Sequence, residues 1–198
     1  MSFFAYAKDP GLRPFRRQFL SRSGLVLSGT AIALMAGRDA LAKTGGKATE
    51  DDVKILNSAL GSELEAIAAY QVGAESGLLQ KPVLDVAVRF QADHKEHAET
   101  LAGAIRKLGG KPVEPKALAD YAKALKADTL KSQNDVLQLA ARLEMGATNA
   151  YLGVIPSFQD KGLAQVAGRL AADEALHFAL LNNVLGHPLP KGGMPFGA

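Results

Sequence analysis

The chain of 198 residues contains 23 Lys and Arg, 20 Asp and Glu, four His and no Cys. The absence of Cys excludes thiolate zinc sites and rubredoxin-type iron centres within this chain. Residues 1–42 hold six of the basic residues but only two of the acidic ones, which leaves 17 basic and 18 acidic residues in 43–198. The formal net charge of +3 therefore comes from one end of the chain, and nucleic-acid binding is not indicated.

Residues 1–42 resemble a twin-arginine export signal and are set apart from the fold. The pair Arg16-Arg17 precedes a moderately apolar, uncharged stretch from Gly24 to Gly37, and the small-residue site Ala40-Leu41-Ala42 follows. The apolar stretch is shorter than the roughly 20 residues that span a membrane. We therefore expect cleavage after Ala42, a periplasmic product and no stable membrane span after processing. The alternative is an N-terminal anchor that is never cleaved.

Residues 50–187 are predicted to form a bundle of four long helices, followed by an extended tail at 188–198. Apolar periodicity bounded by Gly and Pro places the helices at about 50–76, 82–108, 132–155 and 163–185. Pro112 and Pro115 exclude helix from the segment after the second helix, and a short helix is expected over 116–126. No segment alternates as a strand does, so we predict an all-α single domain.

The connections between these helices predict the topology. Short loops join the first helix to the second and the third to the fourth, so each pair should form an antiparallel hairpin. The connection between helices 2 and 3 is long enough to cross the length of the bundle, which makes one long crossover. Within the bundle, Met145 and Phe178 are predicted to lie in the core, and Thr49 should cap the first helix.

A constellation of polar residues occurs twice in the chain. In each copy a Glu is followed seven residues later by a Tyr. Further along, each copy has an Asp and, four residues after it, a His. The two copies are Glu63, Tyr70 and Asp93-His94-x-x-His97, and Glu144, Tyr151 and Asp173-Glu174-x-x-His177. Because packing alone does not explain a repeat of polar residues inside apolar helices, we expect both helix pairs to point these residues at one shared place, related by a pseudo-two-fold axis.

Helix geometry indicates what these residues can do. Residues three apart lie about 5–6 Å from each other on one helix face, so Glu174 and His177 can bind the same metal centre. Residues seven apart are two turns apart, so each Glu shares a face with its Tyr. Buried glutamates are costly unless they are paired or bound to metal. Glu174 and His177 could instead form an exposed pair on the helix surface.

The sequence alone leaves alternatives for the histidines of the second helix and for the glutamate of the first. His94 and His97 are flanked by charged residues and could instead lie in a solvated turn. Glu65 competes with Glu63 as the glutamate of the first helix, although only Glu63 has the spacing to a Tyr that the second copy repeats. Glu96 has no acidic counterpart in the second copy and is expected to face solvent.

On these residues the chain resembles the ferritin-like superfamily, the dimetal-carboxylate four-helix bundles that include the rubrerythrins. It is most similar to exported ferritin-like proteins whose second helix reads Asp-His-x-x-His. The resemblance covers about residues 50–186, and its most specific part is Asp173-Glu174-Ala175-Leu176-His177. The chain departs from the family pattern at His94, where the usual residue is a Glu that bridges two metals.

The resemblance implies a role for each member of the repeat. The implied metal ligands are Glu63, His94, His97, Glu144, Glu174 and His177. Tyr70 and Tyr151 would hydrogen-bond the carboxylates or donate an electron during catalysis. Asp93 and Asp173 would accept hydrogen bonds from ligand histidines and so fix the imidazole tautomer.

The leading hypothesis is an exported metalloprotein that reacts with oxygen or peroxide, as in the response to oxidative stress. Carboxylate and imidazole ligands suit iron or manganese, with zinc as a further candidate, and one or two ions fit the ligand set. Peroxide reduction would need an electron donor that this chain does not encode. Two competing hypotheses are a non-enzymatic metal-binding or stress-protection module and a structural bundle without metal. A homodimer is a further expectation, because ferritin-like bundles often dimerise.

Overall fold

The computed structural model describes residues 46–188, 190, 192–193 and 195–196. The predicted export signal, 1–42, lies outside these residues. All regular secondary structure in the described part is helical, which confirms the all-α prediction. None of the described helices is both long enough and apolar enough to cross a membrane.

The described part contains four long α-helices and one short one: α1 Gly46–Glu75, α2 Lys81–Lys107, α3 Leu118–Ala124, α4 Gln133–Val154 and α5 Lys161–Val184. Single turns of 3-10 helix lie on either side of α4, at Ala127–Thr129 and Ile155–Ser157. The ends of the long helices agree with the sequence to within two residues, except at the start of α1. Thr49 is not the cap of this helix, because the preceding Lys and Ala are good helix formers and continue it back to Gly46.

The long helices pack as two hairpins, α1 with α2 and α4 with α5, and α1 also contacts α4. Residues 108–132 form the long crossover between the hairpins. Asn57 of α1 holds its beginning: the side-chain amide donates to the Lys111 carbonyl at 3.1 Å, and the side-chain oxygen accepts from the Val113 N–H at 2.8 Å. The bundle with one long crossover is thus the predicted fold.

The end of α2 brings the chain unusually close to α1. Gly109 has φ +79°, a left-handed conformation that favours glycine. At Gly110 a Cβ atom would lie only 2.6 Å from a methyl carbon of Val53. Glycines at these two positions therefore end α2 and let the crossover leave along the surface of α1.

The loop between α4 and α5 is held from two sides. Asp160 caps α5, because its side chain accepts from the N–H groups of Gly162 at 2.6 Å and Leu163 at 3.2 Å. Asp52 of α1 is almost fully buried and accepts from the N–H groups of Gln159 at 3.0 Å and Asp160 at 3.3 Å. One carboxylate of the first hairpin thereby fixes the loop of the second.

An apolar cluster packs the bundle beside the repeated polar residues. Its buried members are Tyr70, Ala87, Phe90, Leu137, Ala141, Phe178 and Leu181. Phe196 of the tail packs edge to face on Phe178, with ring centroids 5.6 Å apart. Phe178 is buried as predicted, but the prediction for Met145 is wrong, since its side chain is 41% exposed. Met145 follows the buried Glu144, and the turn of about 100° per residue directs it outward.

Candidate metal centre

The six candidate ligands meet in the middle of the bundle. α1 contributes Glu63, α2 His94 and His97, α4 Glu144, and α5 Glu174 and His177. All six are buried, and the three glutamates and His94 are among the least exposed side chains in the described part of the chain, at 2% or less. Glu65, the competing residue on α1, is only partly buried, and Glu96 is exposed.

The two tyrosines cross between the hairpins. The hydroxyl of Tyr70 on α1 donates to Oε1 of Glu144 on α4, and the hydroxyl of Tyr151 on α4 donates to Oε1 of Glu63 on α1. Each tyrosine thus contacts the glutamate of the opposite copy, although it shares a helix face with the glutamate of its own. The exchange is reciprocal, as the pseudo-two-fold repeat requires.

The two aspartates cross in the same way. Asp93 Oδ2 lies 3.4 Å from Nε2 of His177, and Asp173 Oδ2 lies 3.4 Å from Nε2 of His97. Asp93 is further paired with Arg89 at 2.5 Å, whereas the Asp173 side chain is 54% exposed. An aspartate on the Nε2 side of His97 and of His177 leaves the other nitrogen of each ring, Nδ1, pointing at the glutamates of the centre.

The inner nitrogens and the glutamates form one contact network. Glu174 lies between the two outer histidines, with Oε1 at 3.0 Å from Nδ1 of His97 and Oε2 at 3.2 Å from Nδ1 of His177. His94 lies between the other two glutamates, with Nδ1 at 2.7 Å from Oε2 of Glu63 and Nε2 at 3.2 Å from Oε1 of Glu144. His94 and Glu174 are the equivalent residues of the repeat and occupy its centre.

Two of the three carboxylates in this network are poised to stay ionised in spite of their burial. Burial opposes the charge of Glu63, but hydrogen bonds from His94 and His97 lower its pKa to about 2. Burial also opposes the charge of Glu144, and contacts with His177 and His94 hold its pKa well below the usual range. For Glu174 burial prevails, and its pKa is raised.

The imidazoles respond in the opposite direction. Burial disfavours their charged forms, but the neighbouring carboxylates prevail and raise the pKa of His177 to about 9, of His94 to about 10 and of His97 to about 12. Burial and the nearby glutamates raise the pKa of both tyrosines well above 10, so their hydroxyls keep their protons. The glutamates therefore require positive charge in the core, which either protons on the imidazoles or metal ions can supply.

Two observations indicate that the buried glutamates and histidines could hold a metal ion. Two groups of four side chains each offer ligand atoms that lie within 4.8 Å of one another: Glu63, His94, His97 and Glu174, and His94, Glu144, Glu174 and His177. In addition, Oε2 of Glu144 is buried and has no hydrogen-bond partner among the described residues. An ionised oxygen without a partner is costly in a protein interior, and a cation would satisfy it.

Some neighbours of the centre were not foreseen from the sequence. Phe90 stacks on the ring of His177 with centroids 3.9 Å apart and covers it on one side. Thr148 is buried and bonds back to the Glu144 carbonyl at 2.8 Å. Neither lies in the repeated pattern, and the one signal in the sequence was the position of Phe90 four residues before His94, on the same face of α2.

Comparison with known proteins identifies a family and solved structures of similar fold. The sequence model of the ferritin-like domain matches residues 51–187. The fold is similar to the crystal structure of a conserved hypothetical protein, rv2844, from Mycobacterium tuberculosis, with a TM-score of 0.62 and 20% sequence identity over 75% of this chain and 99% of that chain. No curated protein matches this chain.

Proposed function

Because the chain belongs to the ferritin-like domain family, and because its four long helices bury three glutamates and three histidines at one place, we propose that it binds iron or manganese there and reacts with oxygen or peroxide. The observation that supports the proposal most directly is the buried Glu144 oxygen without a partner, which lies among the other ligand atoms. Without a metal ion, this oxygen has no hydrogen-bond partner among the described residues.

The donor set narrows the choice of metal. Carboxylate oxygens and imidazole nitrogens in a mixed set suit iron, manganese and zinc, and the candidate ligands include neither Cys nor Met, the soft ligands that favour copper(I). Of the three, iron and manganese can supply the electron chemistry that oxygen or peroxide reduction needs. Zinc would support only a binding or structural role, which is the alternative function.

The surrounding residues supply orientation and exclusion of water. Tyr70 and Tyr151 donate to one oxygen each of Glu144 and Glu63, and so hold both carboxylates in place. Their hydroxyl protons also lie at the edge of the centre, where a tyrosine can deliver a proton and an electron together. The stacked ring of Phe90 keeps solvent from one side of His177. Reduction of oxygen or peroxide would also need an external electron donor to return the centre to its reduced state.

The test is metal analysis followed by a reaction. The protein is purified from the periplasm of its native host without chelator, and its metals are measured by inductively coupled plasma mass spectrometry. The metal-free protein is then loaded anaerobically with ferrous iron and exposed to oxygen or to peroxide. We expect bound iron or manganese and a new absorbance band on oxidation. Bound metal without any oxidation band would instead support the metal-binding module.

A further inference from the structure

The repeated polar residues of the centre are matched in pairs, with one exception. The two tyrosines, the two aspartates and the two outer histidines are related pairwise by the pseudo-two-fold axis. The exception is the central pair, since His94 stands opposite Glu174. An imidazole cannot do what a carboxylate does here, because a carboxylate offers an unprotonated oxygen to each half, whereas a neutral imidazole offers one lone pair and one N–H.

The two contacts of His94 differ in length, which distinguishes its nitrogens once a metal ion replaces one of the two ring protons. Nδ1 lies 2.7 Å from Oε2 of Glu63, the short distance of an N–H donated to a carboxylate, while Nε2 lies 3.2 Å from Oε1 of Glu144. With the hydrogen on Nδ1, both oxygens of Glu63 accept, one from His94 and one from Tyr151. The lone pair of Nε2 then faces the half of the centre that contains Glu144.

The half that contains Glu144 is the one left unsatisfied. Oε1 of Glu144 accepts from Tyr70, but Oε2 lacks a partner and is 3.6 Å from Nδ1 of His177, too far for a hydrogen bond. Oε2 of Glu174 and Nδ1 of His177 lie beside it, 3.2 Å apart. His94, Glu144, Glu174 and His177 each offer one ligand atom, and these four atoms lie within 4.8 Å of one another.

The hydrogen bonds of Glu63 favour one ion over two. One divalent cation between Glu144 and Glu174 is neutralised by them and leaves one negative charge, on Glu63, whose two oxygens face donors on His94 and Tyr151. Two divalent cations would exceed the three buried carboxylates by one charge, which is costly in a dry core. The outer aspartates offer little relief, because Asp93 is paired with Arg89 and Asp173 is half exposed.

We propose that this centre holds a single metal ion, bound by Glu144, Glu174, His177 and Nε2 of His94, and that Glu63 is not a ligand but the hydrogen-bond acceptor that orients His94. The inference rests on the proposed metal binding and goes further by fixing the number of ions and dividing the six residues into two roles. His94 is thereby the residue that prevents a second ion from binding beside Glu63 and His97.

The pseudo-two-fold axis provides a matched pair of variants, Glu63→Gln and Glu144→Gln. Manganese(II) chloride is titrated into the metal-free wild-type protein and both variants by isothermal titration calorimetry, with circular dichroism to verify the fold. We expect one equivalent in the wild type. Glu63→Gln should keep that equivalent with about 10- to 100-fold weaker affinity, the usual cost of altering the partner of a ligand histidine. Glu144→Gln should lose measurable binding.

A third variant tests the role of His94 by gain of binding. His94→Glu restores a carboxylate that can bridge, so it should bind two equivalents where the wild type binds one. Two tight equivalents in the wild type, or equal losses in the two Gln variants, would overturn the single-ion proposal while leaving metal binding intact. Failure of the wild type to bind either manganese or ferrous iron would instead overturn the proposed function.

A measurement on the wild type alone guards against variants that do not fold. The metal-free protein is loaded with excess cadmium-113 and its NMR spectrum is recorded. One resonance in the range of mixed nitrogen and oxygen ligands is expected. Two resonances of equal area would show two occupied positions and contradict the proposal.

Discussion

At the scale of single residues, the buried glutamates can be balanced by protons on the histidines or by the metal ion proposed above. Without metal, the protons on His177, His94 and His97 balance the carboxylates, which is why their pKa values rise to about 9, 10 and 12 from 6.5. With metal, a ligand nitrogen must be free of its proton. Protons and metal therefore compete for the same positions.

This competition predicts how stability depends on pH. A histidine with a raised pKa stabilises the metal-free fold fully below 6.5, and that contribution is lost as pH rises through the folded values of about 9 to 12. Glu63 behaves oppositely, since its contribution is present above its ordinary pKa of 4.5 and is lost as pH falls through about 2. The metal-free protein should thus weaken from about pH 6 to about pH 9, and the loaded protein should weaken less.

Urea unfolding of chelator-treated and manganese-loaded protein at the two pH values measures this difference. The gap in unfolding free energy between the two forms should be larger near pH 9. A gap of the same size at both pH values would show that the histidine protons do not compete with the metal.

At the scale of secondary-structure elements, Asp52 joins the hairpins at a distance from the metal centre. Replacing it with Ala leaves two N–H groups of the α4–α5 loop without their acceptor, and a lost partner of this kind costs about 1–3 kcal/mol. The variant Asp52→Ala should therefore unfold at lower urea concentration. Asp85→Ala, which removes only an exposed pair with Lys81, should change stability by less than about 1 kcal/mol. Equal losses in both variants would contradict the role given to Asp52.

The ends of the helices were predictable from the sequence where a single residue, such as a capping serine or a glycine, determines them. Gly109 and Gly186 have positive φ at helix ends, and Ser132 caps α4 where the pattern placed its start. The repeat also led to the buried glutamates, because its spacing selected Glu63 over Glu65. The start of α1 was missed, since an acceptable cap at Thr49 does not prevent good helix formers before it from continuing the helix.

Contacts between elements could not be read from spacing. Glu63 and Tyr70 share a face of α1, yet Tyr70 reaches across to Glu144, and Asp93 contacts His177 on α5 rather than His97 on its own helix. Such crossings depend on how the hairpins face each other, which no single helix encodes. The orientation of the His94 ring has the same origin, because both of its partners come from other helices.

At the scale of the whole molecule, the remaining prediction concerns export. Replacing both Arg16 and Arg17 by Lys should leave an unprocessed precursor in the cytoplasm, because the route requires the arginine pair. Arg13→Lys, a change of the same kind outside the pair, should be exported normally. Cell fractionation with N-terminal sequencing checks both, and the exported form should begin at Lys43. Normal export of the double variant would exclude the twin-arginine route.

Because the two hairpins belong to one chain, the equivalent positions at the centre of the repeat can carry different residues. If the bundle were a dimer of two identical hairpins, positions 94 and 174 would be one residue, and the dimer would carry either two histidines or two glutamates. A covalent crossover makes them separate positions, so each can be substituted without the other. Fusion of the two hairpins is thus what permits an uneven centre, with a histidine at position 94 and a glutamate at position 174.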